Sequence, residues 1–448
     1  MNSYTESQRK KGMWKFIIAS LIGIFLFLTP LHVDGETSLP VAVLAGKFKE
    51  LIGSFMPTLI YIIIIASILL TFYFSLTRST KTPFIKNLFE VNWVWLLIRL
   101  LGGIFATIVY FNLNVPWINT ENTGGLIYDG LLPTLITVFF FAGIFLPLLM
   151  DYGLFEFIGP MFSRIMRPLF TLPGRSAVEN LASFVGDGTV GVMMASKQYD
   201  EGFYTRREAT VIATSFSVVS ITFAIVVAKE VDLMNHFFYF YFTVIVSCLV
   251  AAMITPRIWP LRQIADSYSN GSTKRLSEET PDTHNVISYG FENAVERGIK
   301  GPDAKGLLML GTRTVMDMWF AVLPVVMCIG TIATIIAEYT NFFTWVGAPF
   351  VPILELMHVP EAVAASETIL IGFADMFLPA ILIVDVKSEL TRFVVAALSI
   401  SQLIYLSEVG GVILGSKIPV SLPKLFAIFM IRTIIILPII VLMAHIIF

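Results

Sequence analysis

The chain has 448 residues, of which 56% are apolar and only 14% charged, with mean hydropathy +0.80 and net charge −2. A soluble chain of this size cannot hide that much apolar surface, so lipid must be part of its solvent. The near-neutral charge gives no reason to expect nucleic acid, and a lone pair of cysteines, Cys248 and Cys328, excludes a disulfide framework or a cysteine-based metal site.

Taken in chain order, a basic start (Arg9, Lys10, Lys11, Lys15) leads into an apolar stretch that ends Leu28-Thr29-Pro30-Leu31. No small-x-small cleavage site follows, so an uncleaved first helix is expected rather than a signal peptide. Runs of about 20 apolar residues, enough to cross the hydrocarbon core, predict spans at 14–31, 56–77, 92–113, 131–150, 209–228, 237–255, 314–337, 393–413 and 425–447. Two further segments, 177–196 and 361–384, are broken near their middles by Gly186-Asp187-Gly188 and by Gly372-Phe373-Ala374-Asp375 before Pro379. Helices do not easily continue through such sequences.

The stretch 157–188 and the stretch 345–375 read as one segment written twice. Gly143 faces Gly330, Asp151-Tyr152 faces Glu338-Tyr339 and Pro173 faces Pro360, each 187 residues on. In an apolar chain, a repeat whose copies carry short, Gly-broken segments points to a transporter's binding site.

Lys and Arg stay cytoplasmic beside spans. With the N-terminus inside and both broken segments returning to the side they left, 22 basic residues fall inside and 5 outside. If 177–196 crossed fully, the figures would be 12 and 15 and the asymmetry would vanish. The expected fold is therefore an all-α integral membrane protein. It has about nine transmembrane helices plus two re-entrant hairpins, in two inverted-topology repeats. The expected organisation is N-terminal scaffold helices over 1–130, gate repeat one over 131–255, a cytoplasmic linker over 256–313 and gate repeat two over 314–448. Within the linker, 285–301 has the pattern of an amphipathic surface helix, and the loop itself reads as a tether.

The chemistry concentrates in the hairpins. Half-helices that start at a break turn free amides and a positive dipole end toward the cavity, and a carboxylate at membrane depth is costly enough to signal function. Asp187 and Asp375 stand near the two breaks, with Thr189 opening the second half-helix of hairpin one. Asn180 lies on the first leg of hairpin one at the repeat position of Glu367, which Ser366 and Thr368 flank. Glu179 reads either as part of that group or as an interfacial partner of Arg175. In the span after hairpin two, Gln402 and Glu408 are the strongest polar candidates, beside Ser399, Ser401 and Ser407; Ser215, Ser217, Ser220 and Thr222 line the span after hairpin one. Arg99 and Arg432 are expected to snorkel or pair. Gly186-Asp-Gly-Thr-Val-Gly191 has dinucleotide-binding spacing, but no βαβ unit surrounds it. The histidines are scattered, and there is no nucleophile–base arrangement. An enzyme is not expected, nor any cofactor or bound metal; the coupling ion would be Na⁺ or H⁺.

The stretch from Pro173 to Phe223, PGRSAVENLASFVGDGTVGVMMASKQYDEGFYTRREATVIATSFSVVSITF, resembles the YjiH-like bacterial membrane proteins of the gate-domain, or nucleoside-recognition, superfamily. That superfamily also holds concentrative nucleoside transporters, the membrane part of a ferrous-iron transporter and spore-maturation membrane proteins. The resemblance covers most of the chain and implies two inverted gate repeats, with substrate and coupling ion between the hairpin tips. It also implies a multi-pass protein of the bacterial cell membrane, N-terminus cytoplasmic, acting on a small molecule; a homo-oligomer is permitted. Nucleoside carriers use a Gln-Thr-Glu-like group in hairpin one. Here only Glu179-Asn180 is near that place and departs from the pattern, and Ser366-Glu367-Thr368 of hairpin two is closer to it. The substrate thus stays open between a nucleoside and an amino-acid-like or peptide-like compound, and neither hairpin has the cysteine or histidine an iron route would use. The alternative class is a non-transporting membrane complex or assembly protein, as the spore-maturation branch suggests.

Overall fold

The computed structural model describes residues 4–448 apart from 30, 34–35, 78–81, 186–187, 217–218, 220, 270 and 272–284. Among the described residues the protein is helical except for one short ribbon. The chain opens with α1 (Glu6–Leu28), begun by a Thr5–Gln8 capping box. The ribbon follows, β1 (Leu31–Val33) against β2 (Glu36–Ser38), paired antiparallel with Leu31 opposite Ser38. Next come α2 (Pro40–Ile52), α3 (Met56–Thr77), α4 (Pro83–Phe89) and α5 (Trp93–Tyr110), the last started by Asn92 accepting from the Trp95 amide at 3.1 Å. Then come α6 (Leu132–Met150), α7 (Leu154–Phe170), α8 (Ser176–Val185), α9 (Gly188–Asp200), α10 (Arg206–Ser215), α11 (Ile221–Glu230) and α12 (Phe237–Ile254). The linker forms α13 (Val286–Lys300), as its amphipathic pattern predicts. Beyond it lie α14 (Ala304–Asp317), α15 (Leu323–Tyr339), α16 (Phe342–Gly347), α17 (Val351–Leu356), α18 (Ala362–Ile369) and α19 (Leu378–Ile383). The chain ends with α20 (Glu389–Ser401), α21 (Val409–Gly415) and α22 (Leu422–Ile447).

Isoleucine-rich runs such as Ile62–Ile65 in α3 are mediocre helix formers in water. In hydrocarbon the choice is removed, because each backbone amide must be satisfied within its own segment. Outward-facing Phe238 and Trp93 are 75% and 74% exposed, which only a lipid surround makes tolerable. Seven helical runs among the described residues are long and apolar enough to cross a membrane: Glu6–Leu28, Pro40–Ser75, Trp93–Tyr110, Leu126–Met150, Met234–Arg257, Ala304–Tyr339 and Leu422–Ile447.

Two expected spans are absent from that set, and both are interrupted helices. The run at 209–228 is divided between α10 and α11, ten residues each. The run at 393–413 is divided between α20 and α21, with Gln402–Glu408 outside both. The first halves end at Ser215 and Ser401, 186 residues apart and hence at matching places in the repeat. Of the nine expected spans, seven are thus long continuous helical runs among the described residues.

The chain forms two compact units made of interleaved segments. The first contains Met1–Lys47, Val138–Ser217 and Ala252–Met316. In it α13 packs on α1 and α7, and the α1 crossing is tight: a Cβ on Gly298 would lie 2.4 Å from the Gly12 carbonyl oxygen. Lys15 adds a hydrogen bond from Nζ to the Gly301 carbonyl at 2.7 Å. The linker helix is thus part of this unit's packed interior. The second unit contains Phe48–Thr137, Val218–Ala251 and Asp317–Phe448. There α5 lies along α15 and α3, and α22 backs α20. Arg99 is buried, and it pairs: its guanidinium donates to Thr71 Oγ1 at 2.7 Å and to the Leu88 carbonyl at 3.0 Å.

Candidate functional site

In the second unit, hairpin two and the interruption of the α20–α21 helix are built around each other. Helix α18 has eight residues and α19 six, roughly 12 and 9 Å at 1.5 Å per residue, far short of a bilayer's ~30 Å. Between them the chain turns through Ala374–Phe377. After Ser401, Leu403 takes a left-handed φ of +64°, which costs an L-residue roughly 1–2 kcal/mol. The strain turns the strand so that Leu406 N–H donates to the Phe373 carbonyl at 2.8 Å and Ser407 N–H to the Ala374 carbonyl at 2.9 Å. Two amides that left a helix are therefore satisfied by the hairpin tip.

The side chains close the same joint. Asp375 is buried, and its Oδ1 accepts from the amides of Phe377 at 2.8 Å and Leu378 at 3.2 Å, capping the half-helix α19. Its Oδ2 accepts from Ser407 Oγ at 2.8 Å. Gln402 donates from Nε2 to the Ile369 carbonyl at 2.9 Å and to Thr433 Oγ1 at 3.0 Å. A Cβ at position 372 would stand 2.0 Å from Gln402 Oε1, so Gly372 is what lets the hairpin approach this amide. Arg432 is fully buried and donates from Nε to the Ser401 carbonyl at 2.8 Å, placing its charge at the C-terminal end of α20 where the dipole favours it.

The first unit presents a different picture. Hairpin one consists of α8 and α9, packed leg against leg and again too short to cross singly. Glu179 is fully buried, with the Tyr204 hydroxyl as its hydrogen-bonding neighbour and Arg175 as its charged one. Asn180 and Gln198 are also buried, with both amide atoms of each unpartnered among the described residues. Thr189 is buried in the first turn of α9. Buried polar groups in such a state are expensive, and an ionised one is far more so unless something else supplies the missing partner.

The residues singled out from sequence are thus sorted. Asp375 and Gln402 come together with Ser407 at one joint, and Glu408 is half-buried at the start of α21. Ser366 and Thr368 are buried but return their hydroxyls to the Val363 and Ala365 carbonyls of their own helix. Glu367 lies on the exposed face of α18 and is not brought to the joint. Asp187, with Gly186, lies outside the described residues. Ser217 and Ser220 are outside them too, and Ser215 bonds Thr255 across 2.9 Å. Gln198 was not anticipated. It falls two residues beyond the expected end of hairpin one at 196, and the signal was an amide in an otherwise apolar and small-residue leg, Val192–Ser196.

Residues 132–234 match the family model for the gate domain, described as nucleoside recognition. The chain carries a gate domain over these residues. An uncharacterized protein of Alkalihalophilus pseudofirmus is 47% identical over 446 residues, covering 99% of this chain and 96% of that one. The matched segment spans hairpin one and both halves of the interrupted helix that follows it. A gate domain together with several apolar helices makes this a multi-pass membrane protein and fits a membrane transporter.

The joint at Gly372 predicts a specific rescue. Gly372→Ala drives a methyl group into the Gln402 amide and should lower the apparent unfolding midpoint in detergent, by a loss of about 1–3 kcal/mol. Gly46→Ala, which meets nothing within 4 Å, should leave the midpoint near wild type. In a Gln402→Ala background the Gly372→Ala penalty should largely disappear, as expected for residues in direct contact. An additive double variant would show that the contact is not there.

Proposed function

We propose that this gate-domain protein is a secondary solute carrier, coupled to Na⁺ or H⁺, for a small polar metabolite of nucleoside or amino-acid-like chemistry. The observation that carries the reading is the pair of interrupted helices, α10–α11 and α20–α21, at matching places in an internal repeat. Broken helices in corresponding halves are the arrangement that exposes backbone amides and carbonyls to a solute at membrane depth. Each follows a short helical hairpin. A membrane scaffold gains nothing from weakening its own spans in this way.

Packing supports the same symmetry. A Cβ on Gly143 would meet Val315 in the first unit, and one on Gly330 would meet Ile127 and Ser407 in the second. Those glycines are repeat partners, and Val315 is one residue from the repeat position of Ile127. Short π-helical turns also lead into both gate spans, at Leu126–Leu131 and Met318–Val322; such turns are frequent at functional sites. On this reading hairpins 177–196 and 361–384 are re-entrant and inverted, and Asp187 and Asp375 take part in ion binding. The unpartnered side-chain amides of Asn180 and Gln198 are then the groups with hydrogen bonds to exchange with solute.

Two measurements test the reading. The first is topology. Arg164 and Asp200 flank hairpin one and are exposed. Single cysteines at each, in a background lacking Cys248 and Cys328, should both resist impermeant thiol reagents in intact cells. Labelling of one but not the other would mean that the hairpin crosses fully. The second is uptake into proteoliposomes from a panel of nucleosides, amino acids and dipeptides under Na⁺ or H⁺ gradients. Wild type should accumulate at least one solute. Asp375→Asn keeps an oxygen for the Phe377 and Leu378 amides and a partner for Ser407 but removes the charge, so it should fold normally yet lose accumulation against a gradient. Asp187→Asn should do the same. Undiminished accumulation by both would make these aspartates structural caps, and no uptake of any solute by wild type would favour an assembly role.

A further inference from the structure

A cavity of about 350 Å³ opens in the first unit beside the start of hairpin one, framed by α7, the α9–α10 turn and α13. That is at the small end of ligand pockets, roughly 300–1,000 Å³. Its walls mix signs. Arg175, Arg297 and Lys300 face it with Glu156 and Glu296, and Tyr289 and Phe155 supply apolar surface. The Arg175 guanidinium lies 4.1 Å over the Phe203 ring and 3.4 Å from Glu156. Arg297 lies over the same ring at 5.5 Å and reaches Asp151 Oδ1 at 2.9 Å. The third cation, Lys300, pairs with Glu296 at 2.8 Å, one turn apart on α13 with both side chains about half exposed. A pair of that kind is weak and readily exchanged.

The balance of charge selects the ligand. A phosphate dianion would find the cations but would also press against two carboxylates. A simple amine would meet three cations. A molecule with one carboxylate and one ammonium satisfies both sets, and its side chain can lie on Tyr289 and Phe155. We infer that this cavity is a regulatory site for a small amino-acid-like zwitterion, its carboxylate on Arg297 and Lys300 and its ammonium on Glu156.

The position explains why occupancy would matter. Arg175 is the residue immediately before α8, and Lys197 lies in the last turn of α9, so one charged anchor holds each leg of hairpin one. Lys197 Nζ sits 3.4 Å from Asp151 Oδ2, while the other oxygen of Asp151 takes Arg297. Both legs are therefore tied to the ion-pair network that lines the cavity. A zwitterion competing for Arg297 and Glu156 loosens the anchors of hairpin one, and a ligand acts allosterically when it distinguishes the two arrangements in this way.

The test uses the purified full chain and each of the standard free amino acids at millimolar concentration, read by thermal shift and then by calorimetry. At least one should stabilise the protein. Its decarboxylated and N-acetylated analogues should bind at least about tenfold more weakly, as should the Arg297→Gln, Glu156→Gln and Lys300→Gln variants. Lys300 is exposed, so that variant remains informative if the others fail to fold. Asp375→Asn, in the other unit, should bind as wild type does, and this separates the cavity from the proposed transport site. The inference is overturned if no amino acid stabilises the protein, if a singly charged analogue binds equally well, or if binding survives Lys300→Gln and is lost in Asp375→Asn.

Discussion

Hydrocarbon offers no partner to an amide, so a backbone that leaves its helix at membrane depth has to find one inside the protein. The segment from Leu403 to Glu408 meets that condition by pairing with the tip of hairpin two. Leu406 and Ser407 donate to Phe373 and Ala374, and the Ser407 hydroxyl reaches Asp375. Around this joint the nearby polar groups fall into place. Gln402 ties the hairpin leg to α22, Gly372 leaves room for its amide, and Arg432 holds the frayed end of α20. The interruption and the hairpin are thus one feature. Neither is satisfied without the other.

Hairpin one carries the opposite balance. At the joint in the second unit, Asp375 and Gln402 have found partners in the protein; in the first unit the side-chain amides of Asn180 and Gln198 have none among the described residues. Buried amides without partners, gathered in one place, are groups that a bound molecule can complete. The two hairpins thus differ: the polar groups of one are engaged by internal hydrogen bonds, and the other keeps unpartnered side-chain amides. The Arg175–Glu156 pair and the Asp151 pairs with Lys197 and Arg297 then secure the less satisfied hairpin at both legs. The linker helix α13 is the element that brings Arg297 there, so the connection between the repeats is structural rather than a loose tether.

Much of this was legible in the residues. The long spans follow from hydropathy, and the turn between α18 and α19 from the Gly372–Pro379 region. The interruptions were not, because a hydropathy window averages Ser399, Ser401, Gln402, Ser407 and Glu408 into their apolar neighbours. The signal was present, since five polar residues in ten followed by Gly410-Gly411 is unusual for a span. Whether such a stretch unwinds depends, however, on carbonyls supplied from about thirty residues away, which no local pattern contains. The same limit applies to Arg432, whose burial rests on the end of α20, and to Glu367, whose outward face is set by how α18 packs. The short ribbon at Leu31–Val33 and Glu36–Ser38 also went unseen, being only three residues a side.

If the joint between hairpin two and the interrupted helix is the moving part of a carrier, it must open during each cycle. Cysteines at Ala374 and Leu406, in a background without Cys248 and Cys328, place thiols on the two paired strands. The decisive measurement is solute uptake by this variant in proteoliposomes before oxidation, after it and after reduction. The account predicts normal uptake, then arrest, then recovery. Uptake that continues unchanged while the cross-link is shown to be complete would contradict it.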